Sequence, residues 1–320
     1  MRSLLIAILA IGCGSSNPAR DGGGDDDDGG PTDGAPTDGE TSTCPSGDWC
    51  METSPVSGKR LNDVWAVPGG DVYAVGETGT ILRRRGGTWM QMTSNTTANL
   101  LGVWAASATD IWASAEDGTV LRSDGSTWSV VTGTGITSEV KSIWGSGAND
   151  VWLAGVGAIY HFDGAWSTQG FAGQFYSIAG SGPTDVWAGG ANNGPVLRHY
   201  TGTWGTETHG LGNTTIFAVL AFAANDVWAT SAIPGKETVH WNGATWTPHA
   251  ATLGTALQKL WGASPTDIWG AGSTRVGHWN GSAWTITQPL GTSVALHAVT
   301  GNGSSIWVVG ADALIATHRD

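Results

Sequence analysis

The chain has 320 residues, 50 of them glycine and 19 tryptophan, and 27 acidic against 14 basic residues give a formal charge of −13. That balance excludes a basic nucleic-acid-binding surface, and glycine without a three-residue period excludes collagen. With 40% hydrophobic residues, a chain of this length can fill a sizeable core.

The first thirteen residues read as a processing signal. Arg2 is the positive flank, and Leu4 to Ile11 is an apolar run too short to span a bilayer as a mature helix. Ala10-Ile11-Gly12-Cys13 resembles the bacterial lipoprotein signal, in which small residues lead into a lipidated cysteine, although Ala10 stands where that family usually has Leu. An ordinary secretory signal is the alternative. No later segment approaches 18 uninterrupted apolar residues, so contact with the membrane is expected through an N-terminal lipid on Cys13 alone. Gly14 in place of Asp implies, by the same resemblance, the bacterial outer membrane, with the protein facing the periplasm or the cell surface.

Residues 14 to 43 are Gly, Asp, Pro and Thr almost throughout, so ordering them would cost backbone entropy with no burial in return. A disordered tether is expected. The acidic run Asp25 to Asp28 does not fit the spacing of a calcium-binding loop. Cys44 and Cys50 remain as a pair at the start of residues 44 to 320, and a local disulfide between them is geometrically possible. No third ligand lies near them to suggest a metal.

Beyond residue 60 one phrase recurs, an Asp followed by an aliphatic and an aromatic residue. It stands at Asp71, Asp110, Asp150, Asp185, Asp226 and Asp267, with Ser305 in the seventh place, at spacings of 39, 40, 35, 41, 41 and 38. A period near 40 marks a repeat architecture. Trp89, Trp128, Trp166, Trp204, Trp246 and Trp284 close the units, and the seventh ends at Asp320 without a closing Trp. Residues 47 to 53 read like residues 87 to 93 and supply the missing strand. Each unit divides into four short strands separated by turns such as Asp117-Gly118 and Asp124-Gly125. The expected fold is all-β, a seven-bladed β-propeller of four-stranded antiparallel blades closed by an N-terminal strand.

Residues 76 to 89, GETGTILRRRGGTW, and 114 to 128, SAEDGTVLRSDGSTW, resemble the repeats of Asp-box (BNR) propellers and of photosystem II assembly-factor-like propellers. The full Asp-box is absent, since Ser123-Asp124-Gly125-Ser126-Thr127-Trp128 is two residues shorter. The resemblance implies the propeller fold, and it brings in glycan-cleaving hydrolases as an activity class. No arginine triad of the sialidase kind can be carried onto this sequence. Walker loops and G-x-S-x-G elbows are also absent, and no cofactor is expected.

The Trp series of the second strands reads as packing between adjacent blades. The repeated Asp is suited to an Asx-type turn. Strand adjacency pairs Asp71 with Arg83, Asp110 with Arg122, Asp150 with His161, Asp185 with His199, Asp226 with His240 and Asp267 with His278, leaving Ser305 near His318. Spread around a ring, these imidazoles do not form a metal site. Binding candidates lie on the loop-rich face, at Glu77, Glu116, Asp117, Asn192, Asn193, Lys236 and Glu237. The reading is a noncatalytic binding or scaffold propeller with a protein or glycan partner; a glycan-cleaving hydrolase or a structural assembly factor is the alternative.

Overall fold

The computed structural model describes residues 45–191, 197–208, 210–211, 214–249, 256–291 and 293–319. Cys13, Cys44, Asn192, Asn193 and the expected tether of residues 14 to 43 lie outside them. The described residues belong to the compact unit Glu40–Asp320. They fold as a β-propeller of antiparallel strands, and their only helical segments are short 3-10 turns at Glu77–Gly79, Pro289–Gly291 and Ala311–Ala313. None of these is long and apolar enough to cross a membrane.

Unit one shows the pattern. Its strands Leu61–Ala66, Val72–Gly76, Ile81–Arg85 and Thr88–Met92 follow one another as an antiparallel meander in one sheet. Five sheets have four strands, and one has six. Two long strands account for the larger sheet. Asp150–Phe162 brings Trp152 and His161 into stacking contact at 3.7 Å, so it doubles back on itself. Trp166–Gly182 pairs with that strand through its first part and with Asp185–Ala191 through its last. We therefore read the six-stranded sheet as units three and four, merged.

Core packing runs between units. Tyr73, Val75 and Ile81 of unit one share a cluster with Leu100, Ile111 and Trp128 of unit two. Similar clusters join units two and three, three and four, four and five, five and six, and six and seven. A seventh returns from Trp307, Val309 and Ile315 to Leu61, Val64 and Trp89. Each apolar sheet face is thus covered by its neighbour, and the series closes on itself. The fully buried Trp112, Trp152 and Trp187 give the large area that diverging sheets need.

The N-terminal strand Trp49–Met51 pairs with Ile315–Arg319, in register from Trp49 opposite His318 to Met51 opposite Ala316. It is the outer strand of a sheet whose other members are Leu296–Gly301 and Ser305–Gly310. Cys50, on this strand, is disulfide-bonded.

A bulge sets the inner strands. Leu61, Val140, Phe175 and Leu296 pair with Gly76, Gly155, Gly190 and Gly310, and the register then shifts by one residue. Glycine is required there by close approach. A Cβ on Gly76 would stand 2.1 Å from the Arg60 carbonyl oxygen, and one on Gly190 2.1 Å from that of Gln174. The extra residue at each shift, such as Asn62 or Tyr176, is left out of the ladder and its side chain is re-aimed.

Candidate functional site

The bulged position converges on one cavity. Asn62, Leu101, Lys141, Tyr176, Phe217, Gln258 and His297, each from the first strand of a different unit or the residue leading into it, line a cavity of about 460 Å³ together with Arg60, Asp63, Glu139 and Lys259. Because all seven units contribute, the cavity lies where the inner strands meet. A depression of about 810 Å³ elsewhere is walled by residues 78, 79 and 91 to 97, with no charged or aromatic side chain among them.

Asp63 anchors the wall. Its carboxylate is 2% exposed and accepts the backbone N–H groups of Val64 and Val103, both at 3.0 Å, and Lys259 Nζ at 2.9 Å. Ser142 and Ser177 occupy the same place in units three and four and accept the N–H groups of Ile178 and Val219. A side-chain oxygen at this position therefore ties each of these inner strands to the next, and only Asp63 also holds a cation. Lys141 pairs with Glu139 at 2.7 Å, and its ammonium lies 5.4 Å from the centre of the Tyr176 ring. Tyr176 donates its hydroxyl to Gln174 Oε1 at 3.0 Å.

His297 Nδ1 lies 3.0 Å from the Leu61 carbonyl oxygen. A carbonyl only accepts, so Nδ1 carries the proton in the neutral ring and Nε2 is left as an acceptor. Burial lowers the pKa of this imidazole below its ordinary value. The Arg60 charge also lowers it, while the Leu61 bond and Glu77 work the other way.

Of the loop residues expected to form a site, the described ones, Glu77, Glu116, Asp117, Lys236 and Glu237, do not line this cavity. Glu77 accepts the Arg60 N–H at 3.0 Å and lies 3.6 Å from its guanidinium, which places it beside the cavity wall. Glu116 accepts from the Asn99 side-chain amide at 2.9 Å, and Asp117 from the Thr119 N–H at 2.9 Å. Lys236 is exposed, with its backbone N–H bonded to Ile233 at 3.0 Å. Glu237 is buried, and its backbone carbonyl accepts from Ser231. Glu77 and Glu116 thus tie their loops to the segment that leads into the first strand of the same unit, and Asp117 holds its own turn. The ring of inner-strand residues escaped the sequence reading, although one signal was available. After the recurrent apolar residue that opens each first strand comes a residue different in every unit.

The repeated Asp forms a separate constellation, and all six pairs expected from strand adjacency are hydrogen-bonded. Arg83 Nε and Arg122 Nε lie 2.6 Å from Asp71 and Asp110. His161 and His199 Nε2 lie 2.6 Å from Asp150 and Asp185, and His240 and His278 Nε2 lie 2.8 Å from Asp226 and Asp267. The Asx-type turn expected for these carboxylates gives way to side-chain partners. Asp185, for example, also accepts the Trp187 indole N–H at 3.0 Å and the Ser181 hydroxyl at 2.5 Å. Burial acts to raise its pKa, but these bonds and the His199 charge outweigh burial and hold it below the ordinary value. The His199 ring stacks on Trp187 at 3.8 Å. Among the described residues, no three His, Cys, Asp or Glu side chains gather as a metal site.

Unit seven corrects the sequence register. Trp307 pairs with Thr317, and His318 lies opposite Ile306, so the seventh basic position is occupied by Thr317. Acid and base are thus replaced together, by Ser305 and Thr317. Glu52, just past the N-terminal strand, accepts the Trp307 indole N–H at 3.3 Å.

No protein-family model matches the sequence, and no curated protein matches it. Solved propellers do resemble the structure. YCF48 bound to D1 peptide aligns with a TM-score of 0.68 at 16% identity, over 85% of this chain and 95% of that one. YCF48 from Cyanidioschyzon merolae gives 0.67 at 17%, over 85% and 98%. A catalytically inactive virginiamycin B lyase from Staphylococcus aureus with quinupristin gives 0.72 at 13%, over 84% and 98%. At these identities the likeness is one of fold.

Proposed function

We propose that this protein is a noncatalytic binding propeller whose ligand seats in the cavity ringed by the seven inner strands. One observation carries the reading. At a register position where the fold needs no particular side chain, seven different side chains from seven units face one cavity of about 460 Å³. A scaffold position that only packed would repeat, as the Trp and Asp positions do. Cavities of this size hold small ligands or the end of a larger one. Propellers of similar fold are described with a bound peptide and with quinupristin, which supports a ligand-holding role without identifying the ligand.

The lipoprotein-like sequence ending at Cys13 supports anchoring to the bacterial outer membrane, with residues 14 to 43 as the tether. Radioactive fatty acid should label the wild-type chain and not Cys13→Ser; equal labelling of both overturns the anchor.

The binding site is tested with a photo-crosslinking amino acid placed at Leu101, in the cavity wall, or at Met90, exposed on an outer strand. Irradiated cells should yield a defined adduct from position 101 only. An adduct from position 90 alone would place the ligand elsewhere.

A further inference from the structure

Resting on the cavity as the binding site, we propose that its ligand is a neutral saccharide, held through its hydroxyl groups and one apolar ring face. The charges of the wall are matched internally. Lys259 lies 2.9 Å from Asp63, Lys141 lies 2.7 Å from Glu139, and Arg60 lies 3.6 Å from Glu77. An anionic ligand would compete with a buried carboxylate for Lys259, and a cationic one would compete with Lys259 for that carboxylate. Parting such a pair leaves a poorly solvated charge behind, so the wall favours a guest without net charge.

Hydroxyl groups suit what the pairs leave open. Lys259 presents an ammonium backed by the buried Asp63, and the partly exposed Lys141–Glu139 pair presents a donor and an acceptor side by side. A hydroxyl is both, so it accepts from the ammonium and donates to the carboxylate without separating them. Gln258, exposed at the cavity, adds an amide with donor and acceptor ends. His297 adds an acceptor at Nε2, because Nδ1 is committed to the Leu61 carbonyl. This alternation of donors and acceptors matches a run of hydroxyls better than a fully apolar guest.

Tyr176 and Phe217 supply the remaining wall. Their ring centroids are 6.2 Å apart and the planes are inclined by 38°, and both side chains are half-buried. Lys141 stands toward the Tyr176 ring, with its ammonium 5.4 Å from the ring centre. The C–H face of a pyranose laid on such a surface removes apolar area from water while its rim hydroxyls stay free to bond. A peptide passing through the ring is the competing ligand class, and the test separates the two.

The experiment uses the chain from residue 41 onward. It is titrated by calorimetry and saturation-transfer NMR with maltose, cellobiose and N,N′-diacetylchitobiose, and with a neutral octapeptide of glycine, serine and leucine. At least one disaccharide should bind with a Kd below about 10 mM. Phe217→Ala and Tyr176→Ala should each weaken it by about tenfold or more. Lys236→Ala, on the exposed loop, should leave it unchanged. Where an alanine variant fails to fold, Phe217→Leu and Tyr176→Leu replace it, with the same direction of effect expected. Failure of all three disaccharides, or saccharide binding that survives both aromatic substitutions, overturns the inference. If the octapeptide binds and Phe217→Ala abolishes that binding while no saccharide binds, the cavity remains the site and the saccharide is wrong. If ligands bind and none responds to either aromatic substitution, both readings fall.

Discussion

Lys259 and Asp63 are 196 residues apart, and a 2.9 Å contact between ammonium and carboxylate joins unit six to unit one. The same carboxylate accepts the N–H groups of Val64 in its own strand and Val103 in unit two. One side chain therefore fixes two inner strands and supplies part of the cavity wall.

The two partners should respond unequally to substitution. Asp63→Ala leaves a partly buried ammonium and two backbone N–H groups without their acceptor, and should cost about 3–5 kcal/mol. Lys259→Met leaves the carboxylate its two backbone donors and cavity water, and should cost about 1–2 kcal/mol. Denaturant unfolding of both variants measures the difference. Equal losses would show that the ion pair, and not the backbone bonds, dominates at this site.

Much of the scaffold was legible because it repeats. Period, strand order and the Asp–basic pairs rest on residues that recur from unit to unit, the pairs in six of the seven, so imperfect copies together reveal what one conceals. His318 misled because it is the nearest imidazole to the expected place. Spacing could not separate the two: the step is nine residues from Trp269 to His278, ten from Tyr73 to Arg83 and twelve from Trp187 to His199, so ten to Thr317 and eleven to His318 both fit. The cavity ring was hidden for the opposite reason. A bulge turns its residues out of the ladder, so alternation of apolar and polar residues does not mark them, and their variety looks like surface noise until a fold brings them together.

Asp185, bonded to His199, Trp187 and Ser181, predicts an acid-sensitive stability. The carboxyl of Asp185 titrates below its ordinary value of 3.8 in the folded state. The stability it contributes is fully present above that ordinary value, where the unfolded chain is also ionised. It is lost as the pH falls through the lowered folded-state value. The stability difference between wild type and Asp185→Asn should therefore be constant near neutrality and shrink below about pH 4. Urea midpoints measured from neutral pH into that acid range give the profile, and a difference independent of pH would remove Asp185 from the acid response.

Closure by the N-terminal strand predicts a sharp boundary for truncation. Beyond the ladder of residues 49 to 51, Gly47 N–H bonds to the Arg319 carbonyl at 2.7 Å and Glu52 N–H to that of Ile315 at 2.9 Å. Trp49 packs edge-on against Trp269 at 6.1 Å, and the Glu52 carboxylate joins Arg84 at 2.8 Å. A chain starting at residue 41 keeps all of these. One starting at residue 56 loses them together and bares the edge of Ile315–Arg319. Its melting temperature should fall by about 10 °C or more, as expected for a loss of several kcal/mol in a domain of this size. Coincident melting curves for the two chains would refute closure by this strand.

His297 links the cavity to pH, and the sign follows from its lowered pKa. Above the ordinary value of 6.5 the ring is neutral in both folded and unfolded chains and contributes no pH dependence. Below 6.5 the unfolded chain takes up a proton that burial and the nearby Arg60 make the folded chain resist. Stability should then decline with falling pH until the folded-state value is passed. Protonation would also turn Nε2 from acceptor to donor, so a ligand hydroxyl donating to it would lose its partner and binding should weaken over the folded-state titration. His297→Gln keeps a donor for the Leu61 carbonyl but has no proton to gain. It should flatten the binding profile below pH 6.5 and reduce the slope of the stability profile to the part that the half-buried His249 contributes, as measured by calorimetric titration and by urea midpoints at matched pH. A wild-type binding profile that stays level while the stability profile falls would leave His297 in the fold and remove it from ligand contact.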